Sequence, residues 1–349
     1  MTLVSISGGA GFLGLHLARR VLADGGTVRT LDVAPLDDAE LERGVDGRRV
    51  EEVRGDIRSE QDVRALVDGA EVLVHAAAAL PIQSSRAAIR SVNVEGTANV
   101  LAGALAAGVR RVVLISSTAV YGVPERHPIV EDDPLVGVGW YGESKIEAEQ
   151  LAGEFGRRGL DVVIIRPKTF IGPERLGVFE ILFDWIRDGR RIPILGDGDN
   201  LYQLLAVEDL VDAVALSFTA PVGGRAVNVG AGSFGTVRDD LQALIDHAGS
   251  GSRLFPVPVA PAELSLRALE LARLSPLAEW HYKTAHKDSF VSIDRARDLL
   301  GWEPRLSNAE TLCATYDWYL EHLADMRGAG TTHRVPWNQQ ALGVLKKIA

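Results

Sequence analysis

A doubly wound α/β fold is predicted by three features of this 349-residue sequence. Short apolar runs rich in β-branched residues alternate with Ala/Leu-rich stretches whose apolar residues recur at helical spacing. The runs are nearly continuous in hydrophobicity, as strands covered on both faces are. A glycine-rich turn separates the first run from the first helical stretch. Strand, helix, strand, repeated this often, implies a parallel sheet with right-handed crossovers.

Taken in order, the expected strands are TLVSISG, TVRTLDV, RRVEEVRGD, AEVLVHAAA, RRVVLISS and LDVVIIRP. FLGLHLARRVLADG and TANVLAGALAAG are the clearest of the intervening helices. After about residue 170 the alternation loosens. GDGDN, Gly196 to Asn200, is a turn, and LLAVEDLVDAVALSF is a short strand feeding a helix. The Pro-rich FPVPVAP leads into SLRALELARLSPLAEWHYKTAHK, a small helical lobe. SIDRARDLLGWEP is a helix stopped by Gly301, with Pro304 just beyond. The expected division is therefore a core over 1–170, to which segments around 203–230 return, a lobe over 171–325, and a tail over 326–349. The tail segment WNQQALGVLKKIA reads as a short helix packed on the body or frayed, in preference to one lying on a membrane.

Composition narrows the functions open to the chain. A formal charge of -10 argues against sequence-independent binding to nucleic acid, which needs a basic face. The single cysteine, Cys313, cannot close an internal disulfide and fits a reducing cytoplasm; its apolar, helical surroundings suit an inert buried thiol. MTLVSISGG shows no basic leader or cleavage site, and no apolar run is long enough to cross a bilayer. No metal-ligand pattern is expected.

SGGAGFLG closes the first strand and opens the first helix. Gly8, Gly11 and Gly14, with Phe12 and Leu13 between the last two, allow a tight turn, close approach to a pyrophosphate and close helix packing. The helix N-terminus offers N–H groups and a positive dipole end to phosphates. Asp32 ends the second strand, eighteen residues past Gly14. A carboxylate there accepts hydrogen bonds from ribose hydroxyls and repels an extra phosphate, so NAD is expected rather than NADP. The plainer alternative is that Asp32 only caps a loop. Asp56 and Ile57, at the end of the third strand, are placed to meet an adenine ring, and Ala76, Ala77 and Ala78 leave room for the cofactor. His75 reads as a packed strand-end residue. The core is thus a Rossmann-type NAD-binding unit, and the later lobe mainly a substrate-binding one.

WYGESKIEAEQLAGEF sets Tyr141 and Lys145 on one helix face. A phenol loses its proton near pH ~10, so a base made from Tyr141 needs the lysine cation beside it. The loop ISSTAVYG offers hydroxyls that can hold a reacting oxygen.

GGAGFLG, ISSTAVYG and YGESK, in this order, resemble the extended short-chain dehydrogenase/reductase family, the NAD-dependent epimerase/dehydratases. SVNVEGTANVL, RPKTFIGP, GDGDN, VEDLVDA and LGWEP extend the similarity over nearly the whole chain, short of its last twenty-odd residues. The resemblance implies that Tyr141 is the catalytic base and that Lys145 is its partner and a ligand of the nicotinamide ribose. It makes Ser117 the catalytic hydroxyl, with Thr118 its near competitor. It adds Asn93, Ser116 and Pro167 to the cofactor-binding set, and implies a homodimer through the Tyr141 helix.

Relatives that dehydrate or decarboxylate sugars carry an acid just after the catalytic hydroxyl. This chain has Thr118 and Ala119 there, neither able to shuttle that proton. The phosphate-binding pattern also departs from the family's. Thr169 replaces an asparagine in Arg166-Pro-Lys-Thr169-Phe-Ile-Gly172-Pro173, and Tyr202 stands where an arginine is usual. Arg175, Arg190 and Arg191 could compensate, although each reads more simply as a surface charge; Arg175 is the one carried forward. The substrate set is therefore Ser117, Thr118, Tyr141, Thr169, Arg175 and Tyr202. Two enzymatic readings follow. One is an epimerase of a nucleoside-diphosphate sugar, a UDP-uronic acid or UDP-hexose, working through a transient ketone. The other is a hydroxysteroid-like or lipid-alcohol dehydrogenase, which the apolar helix LGVFEILFDWI suits. A non-catalytic NAD-sensing binder is a third, against which Ser117, Tyr141 and Lys145 argue.

Overall fold

The computed structural model describes residues 2–36, 41, 50–80, 84–174, 176, 179–271 and 284–323, with only the backbone described over 268–271. The six expected strands form as β1 (Leu3–Ser7), β2 (Thr27–Asp32), β3 (Val50–Arg54), β4 (Val72–His75), β5 (Arg111–Ile115) and β6 (Val162–Pro167). A later strand, β10 (Ala226–Val229), completes a parallel seven-stranded sheet in the order β3-β2-β1-β4-β5-β6-β10. The order reverses between β1 and β4, and in such sheets a crevice opens there beyond the strand ends.

Alternate side chains of each strand enter cores on opposite faces. Val113 and Ile115 of β5 join the face covered by α1 (Phe12–Ala23) and α7 (Val207–Ser217), with Leu17, Leu210 and Trp302 among the buried residues. Val112 and Leu114 join the other face, covered by α2 (Glu60–Val67), α4 (Thr97–Ala107) and α5 (Gly139–Arg157). Full burial of each large apolar side chain is worth about 1.5–3 kcal/mol.

Two small parallel pairs lie outside this sheet: β7 (Thr169–Ile171) with β9 (Leu204–Ala206), and β8 (Arg191–Leu195) with β11 (Arg253–Val257). Neither pair is expected from the sequence beyond the short run before α7. β11 runs through the Pro-rich segment, where Phe255 pairs with Pro193 and Pro256 with Ile194; prolines are tolerated in so short a pair because each strand has a free edge. α9 (Val259–Leu271) starts six residues before the expected helix, with Pro261 in its first turn, where no N–H is needed. The LGVFEILFDWI helix, α6 (Phe179–Arg187), buries Ile181, Phe183, Trp185 and Ile186. They join a third core with residues of α8 (Val237–Ala248) and α11 (Asn308–Glu321), so its apolar face packs the lobe. α10 (Asp294–Leu300) ends at Gly301 with a left-handed φ of 62°, and Trp302 beyond it donates its indole N–H to the Asp209 carbonyl.

Cys313 is half-buried on α11, and burial raises its pKa, so it is a protonated, sluggish thiol. Among the described residues no helix is long and apolar enough to cross a membrane. The WNQQALGVLKKIA segment, most of the helical stretch after Leu271 and Arg175 lie outside the described residues.

Candidate active site

β1 delivers the chain to Gly8, whose φ of 77° suits glycine alone and whose N–H donates to the Leu31 carbonyl at 2.8 Å. A Cβ on Gly8 would lie 2.7 Å from the Ala77 nitrogen, and one on Gly14 would lie 2.2 Å from the Gly8 carbonyl oxygen. The turn, α1 and the Ala76–Ala78 strand end are therefore closed on one another with no space for side chains. No side chain caps α1 at Gly11, and no acidic residue stands in its first turn, with Phe12 and Leu13, so its positive end is open to an external anion. Asp32 is pinned at the end of β2: its carboxylate accepts from the N–H groups of Ala10 at 3.1 Å and Ala34 at 2.9 Å. The loop-capping role is thus real, and it fixes the carboxylate beside the glycine turn. Arg58 grips the Asp56 carboxylate and holds its pKa below the usual range, while Ile57 is buried against Gly96. These residues form a cradle of the shape and polarity a dinucleotide needs.

Asn93 lies on a widened π-turn, Ser91–Gly96, between α3 (Arg86–Arg90) and α4. Its amide exchanges two hydrogen bonds with the Ala79 backbone, at 2.7 and 3.1 Å, and donates to Ser144 Oγ at 3.1 Å. Ser144 in turn donates to the Tyr141 carbonyl. One side chain therefore ties the alanine strand end to α5. Beneath it, His75 hydrogen-bonds Ser7 and Thr97. Thr97 gives its own proton to the Asn93 carbonyl, so His75 Nε2 must donate. Burial, aided by the Lys145 charge, lowers the His75 pKa to about 3, which makes it a neutral structural imidazole.

α5 carries Tyr141 and Lys145 on one face, with Lys145 Nζ 5.9 Å from the Tyr141 ring centroid and donating to the Ile115 carbonyl at 2.8 Å. Burial lowers the Lys145 pKa to about 8, opposed by the charge of Glu149 one turn on. Ser117 caps the short 3-10 turn Thr118–Tyr121, its Oγ accepting from the Ala119 N–H at 3.1 Å. The helix and this hydroxyl turn touch: a Cβ on Gly142 would sit 2.7 Å from the Ala119 carbonyl oxygen. The structure thus brings the helix that carries Tyr141 and Lys145 against the turn that carries Ser117 and Thr118, at the C-terminal edge of the sheet beside the cradle.

Behind the turn lies a buried network. Ser116 Oγ donates to Glu149 at 2.5 Å rather than facing the cradle, and Arg166 grips both oxygens of Glu149 at 3.0 and 2.6 Å. Arg166 also donates to the Tyr121 hydroxyl and the Glu131 carbonyl. Tyr121 donates to Asn228, whose N–H donates to the Glu131 carboxylate. Arg166 accordingly uses four of its five N–H groups inside this buried network.

On the lobe side, Thr169 Oγ1 and the Tyr202 hydroxyl are 3.1 Å apart, just past the buried Pro167. Burial raises the Tyr202 pKa, so its phenol is neutral. Arg191, exposed on the second small sheet, lies over the Phe255 ring. Two residues here were not singled out from sequence. Glu149 sits four residues after Lys145, a spacing that signals a shared helix face. Lys168 neighbours Thr169, and nothing in the sequence marks it as buried.

A Gly-lined cradle at the switch point and a Tyr-Lys helix docked on a hydroxyl turn define a nucleotide-dependent oxidoreductase-type site. The sequence model of the NAD dependent epimerase/dehydratase family matches residues 4–230, and the chain belongs to that family of enzymes. The uncharacterized protein y4nG of Sinorhizobium fredii is 34% identical over 97% of this chain and 84% of its own. UDP-glucose 4-epimerase of Mycolicibacterium smegmatis is 30% identical over 90% of this chain and 97% of its own. Among solved structures, MoeE5 in complex with UDP-glucuronic acid and NAD is similar with a TM-score of 0.72 and 25% identity, over 92% of this chain and 99% of that one.

Proposed function

We propose that the protein is an NAD-dependent epimerase of a nucleoside-diphosphate sugar, a UDP-hexose or UDP-uronic acid, acting through a transient keto sugar in the cytoplasm. The observation that carries this reading is the docking of Tyr141 and Lys145 on a hydroxyl turn whose next residue is Ala119. Asp32, the glycine turn and Asn93 hold and orient NAD, which when bound supplies the redox chemistry at the sugar carbon. Tyr141, as phenolate, removes the proton of the sugar hydroxyl, and the Lys145 ammonium stabilises that phenolate. Ser117 holds the reacting oxygen by a hydrogen bond, with Thr118 alongside. After the ketone turns its other face, Tyr141 returns the proton, and the cycle is redox-neutral. The methyl of Ala119 gives no proton to expel a neighbouring hydroxyl, so the reaction stops at epimerisation. The similarity to UDP-glucose 4-epimerase and to MoeE5 supports this choice of substrate. Trp140, exposed at the head of α5, supports a homodimer formed through that helix.

The test is incubation of the purified protein with UDP-glucose or UDP-glucuronic acid, without added NAD. An epimer should appear with no accumulation of reduced cofactor, and Tyr141→Phe should slow its formation by about 10²–10⁴-fold. Net reduction of added NAD by an alcohol, with no epimer formed, would replace this reading by the lipid-alcohol dehydrogenase. Full turnover by Tyr141→Phe would remove the mechanism from both.

A further inference from the structure

Lys168 takes no part in the chemistry above, yet it is held like a site residue. It follows β6, its N–H donating to the Val229 carbonyl at 2.9 Å, and it is only 4% exposed. Its ammonium donates to Ser289 Oγ at 2.7 Å and lies 4.9 Å from the centre of the Tyr202 ring. Among the described residues no carboxylate forms an ion pair with it. The other titratable groups nearby are His127, whose pKa falls through its own burial and the Lys168 charge, and Asp288, which acts on His127 in the opposite sense. Asp288 Oδ1 accepts from the Leu201 N–H. Burial alone lowers the Lys168 pKa, to about 7.

A cation removed from water without a counter-ion is costly, and such groups concentrate where a ligand arrives. The position fits a ligand. β5 and β6 pair in register through Ile115 and Ile165, so Ser117 and Lys168 leave adjacent strands at the same sheet edge. The hydroxyls of Thr169 and Tyr202 adjoin. We infer that Lys168, with the hydroxyls of Ser289, Thr169 and Tyr202, forms a subsite for an oxyanion of the substrate, either a carboxylate on the sugar or a phosphoryl group of the nucleotide. The inference rests on the nucleotide-sugar reading and deepens it: the enzyme selects its substrate by a charge met beside the reacting hydroxyl. It also replaces the missing arginine function, since Tyr202 brings an aromatic face and a hydroxyl where a cation is usual.

The test is calorimetric titration of the NAD-loaded wild type and Lys168→Met with UDP-glucose, UDP-glucuronic acid and UDP. Loss of a charge-assisted contact weakens binding by about tenfold or more. Such a loss confined to UDP-glucuronic acid identifies the sugar carboxylate; an equal loss for all three identifies the phosphoryl group. Affinities unchanged within about twofold for all three overturn the subsite. If the wild type binds none of them, the nucleotide-sugar reading falls, and inorganic pyrophosphate and citrate become the probes in thermal-shift titrations. Stabilisation by either that disappears in Lys168→Met then upholds the subsite, and an equal response of both proteins overturns it. Should Lys168→Met fail to fold, Ser289→Ala keeps the charge but removes the subsite hydroxyl that orients the ammonium. It is expected to weaken the same ligand about threefold to tenfold, and an unchanged affinity overturns the proposal.

Discussion

Two buried polar regions flank the hydroxyl turn, and they are built on opposite terms. Behind it, Glu149, Arg166, Tyr121, Asn228 and Glu131 form a circuit in which each charge meets an opposite charge or a directed hydrogen bond. Arg295 adds a contact to Glu131 at 3.6 Å. In front, Lys168 is buried with a serine hydroxyl and an aromatic face and, among the described residues, no counter-ion. The first arrangement fixes geometry: it ties α5, β6 and the turn together, and so sets Ser117 relative to Tyr141. The second leaves electrostatic work undone in the folded protein. A buried charge whose partners are complete belongs to the scaffold, whereas one whose partners are incomplete marks where a ligand completes them.

The contrast can be broken by substitution. Glu149→Gln leaves Arg166 buried without its counter-charge and should cost about 3–5 kcal/mol, read from urea unfolding midpoints. A midpoint equal to that of the wild type would mean the circuit is not a circuit. Tyr121→Phe keeps the ring but removes the hydroxyl shared by Arg166 and Asn228. Its expected cost is about 1–3 kcal/mol by the same measurement, smaller because the ion pair survives. The third prediction concerns Lys168 and has the opposite sign. Its folded pKa of about 7 lies below the ordinary 10.5, so between these values the unfolded chain holds a proton that the native protein has released. Native stability therefore rises with pH across that window, by up to about 1.4 kcal/mol per pH unit. Lys168→Met should lack that slope. Lys145, at about 8, contributes equally to both proteins and cancels in the difference. Parallel stability curves for the two proteins between neutrality and mild alkali would show Lys168 to be an ordinary lysine.

The sheet was legible where strands are long and apolar. β1 to β6 each stand within an expected run; β4 and β5 are buried on both faces and so nearly continuously hydrophobic, whereas the edge strand β3, VEEVR, is only partly buried. β10 reads only AVNV, and β7 and β9 have three residues each, too few for any period to emerge. β8 and β11 carry prolines that argue against a strand unless its edge position is known. In the site, the glycine turn, Asp32, Tyr141 and Lys145 were legible because their chemistry depends on spacing within one segment. Lys168 was not, because its partner Ser289 lies 121 residues away and only folding brings the two together. Glu149 was half-legible: its spacing from Lys145 is local, but its burial against Arg166 is tertiary.

The position of β10 constrains how this enzyme can change. The strand comes from beyond the first lobe segments, yet it covers the outer edge of β6 within the main sheet. A chain ending near residue 170 would expose that edge to other strands. The main sheet and the segments outside it are therefore interleaved along the chain, and neither can be exchanged as a cassette with a relative's. With the proposed subsite, a new substrate preference would be reached one side chain at a time, at positions such as 168, 169 and 202, on a frame that stays whole.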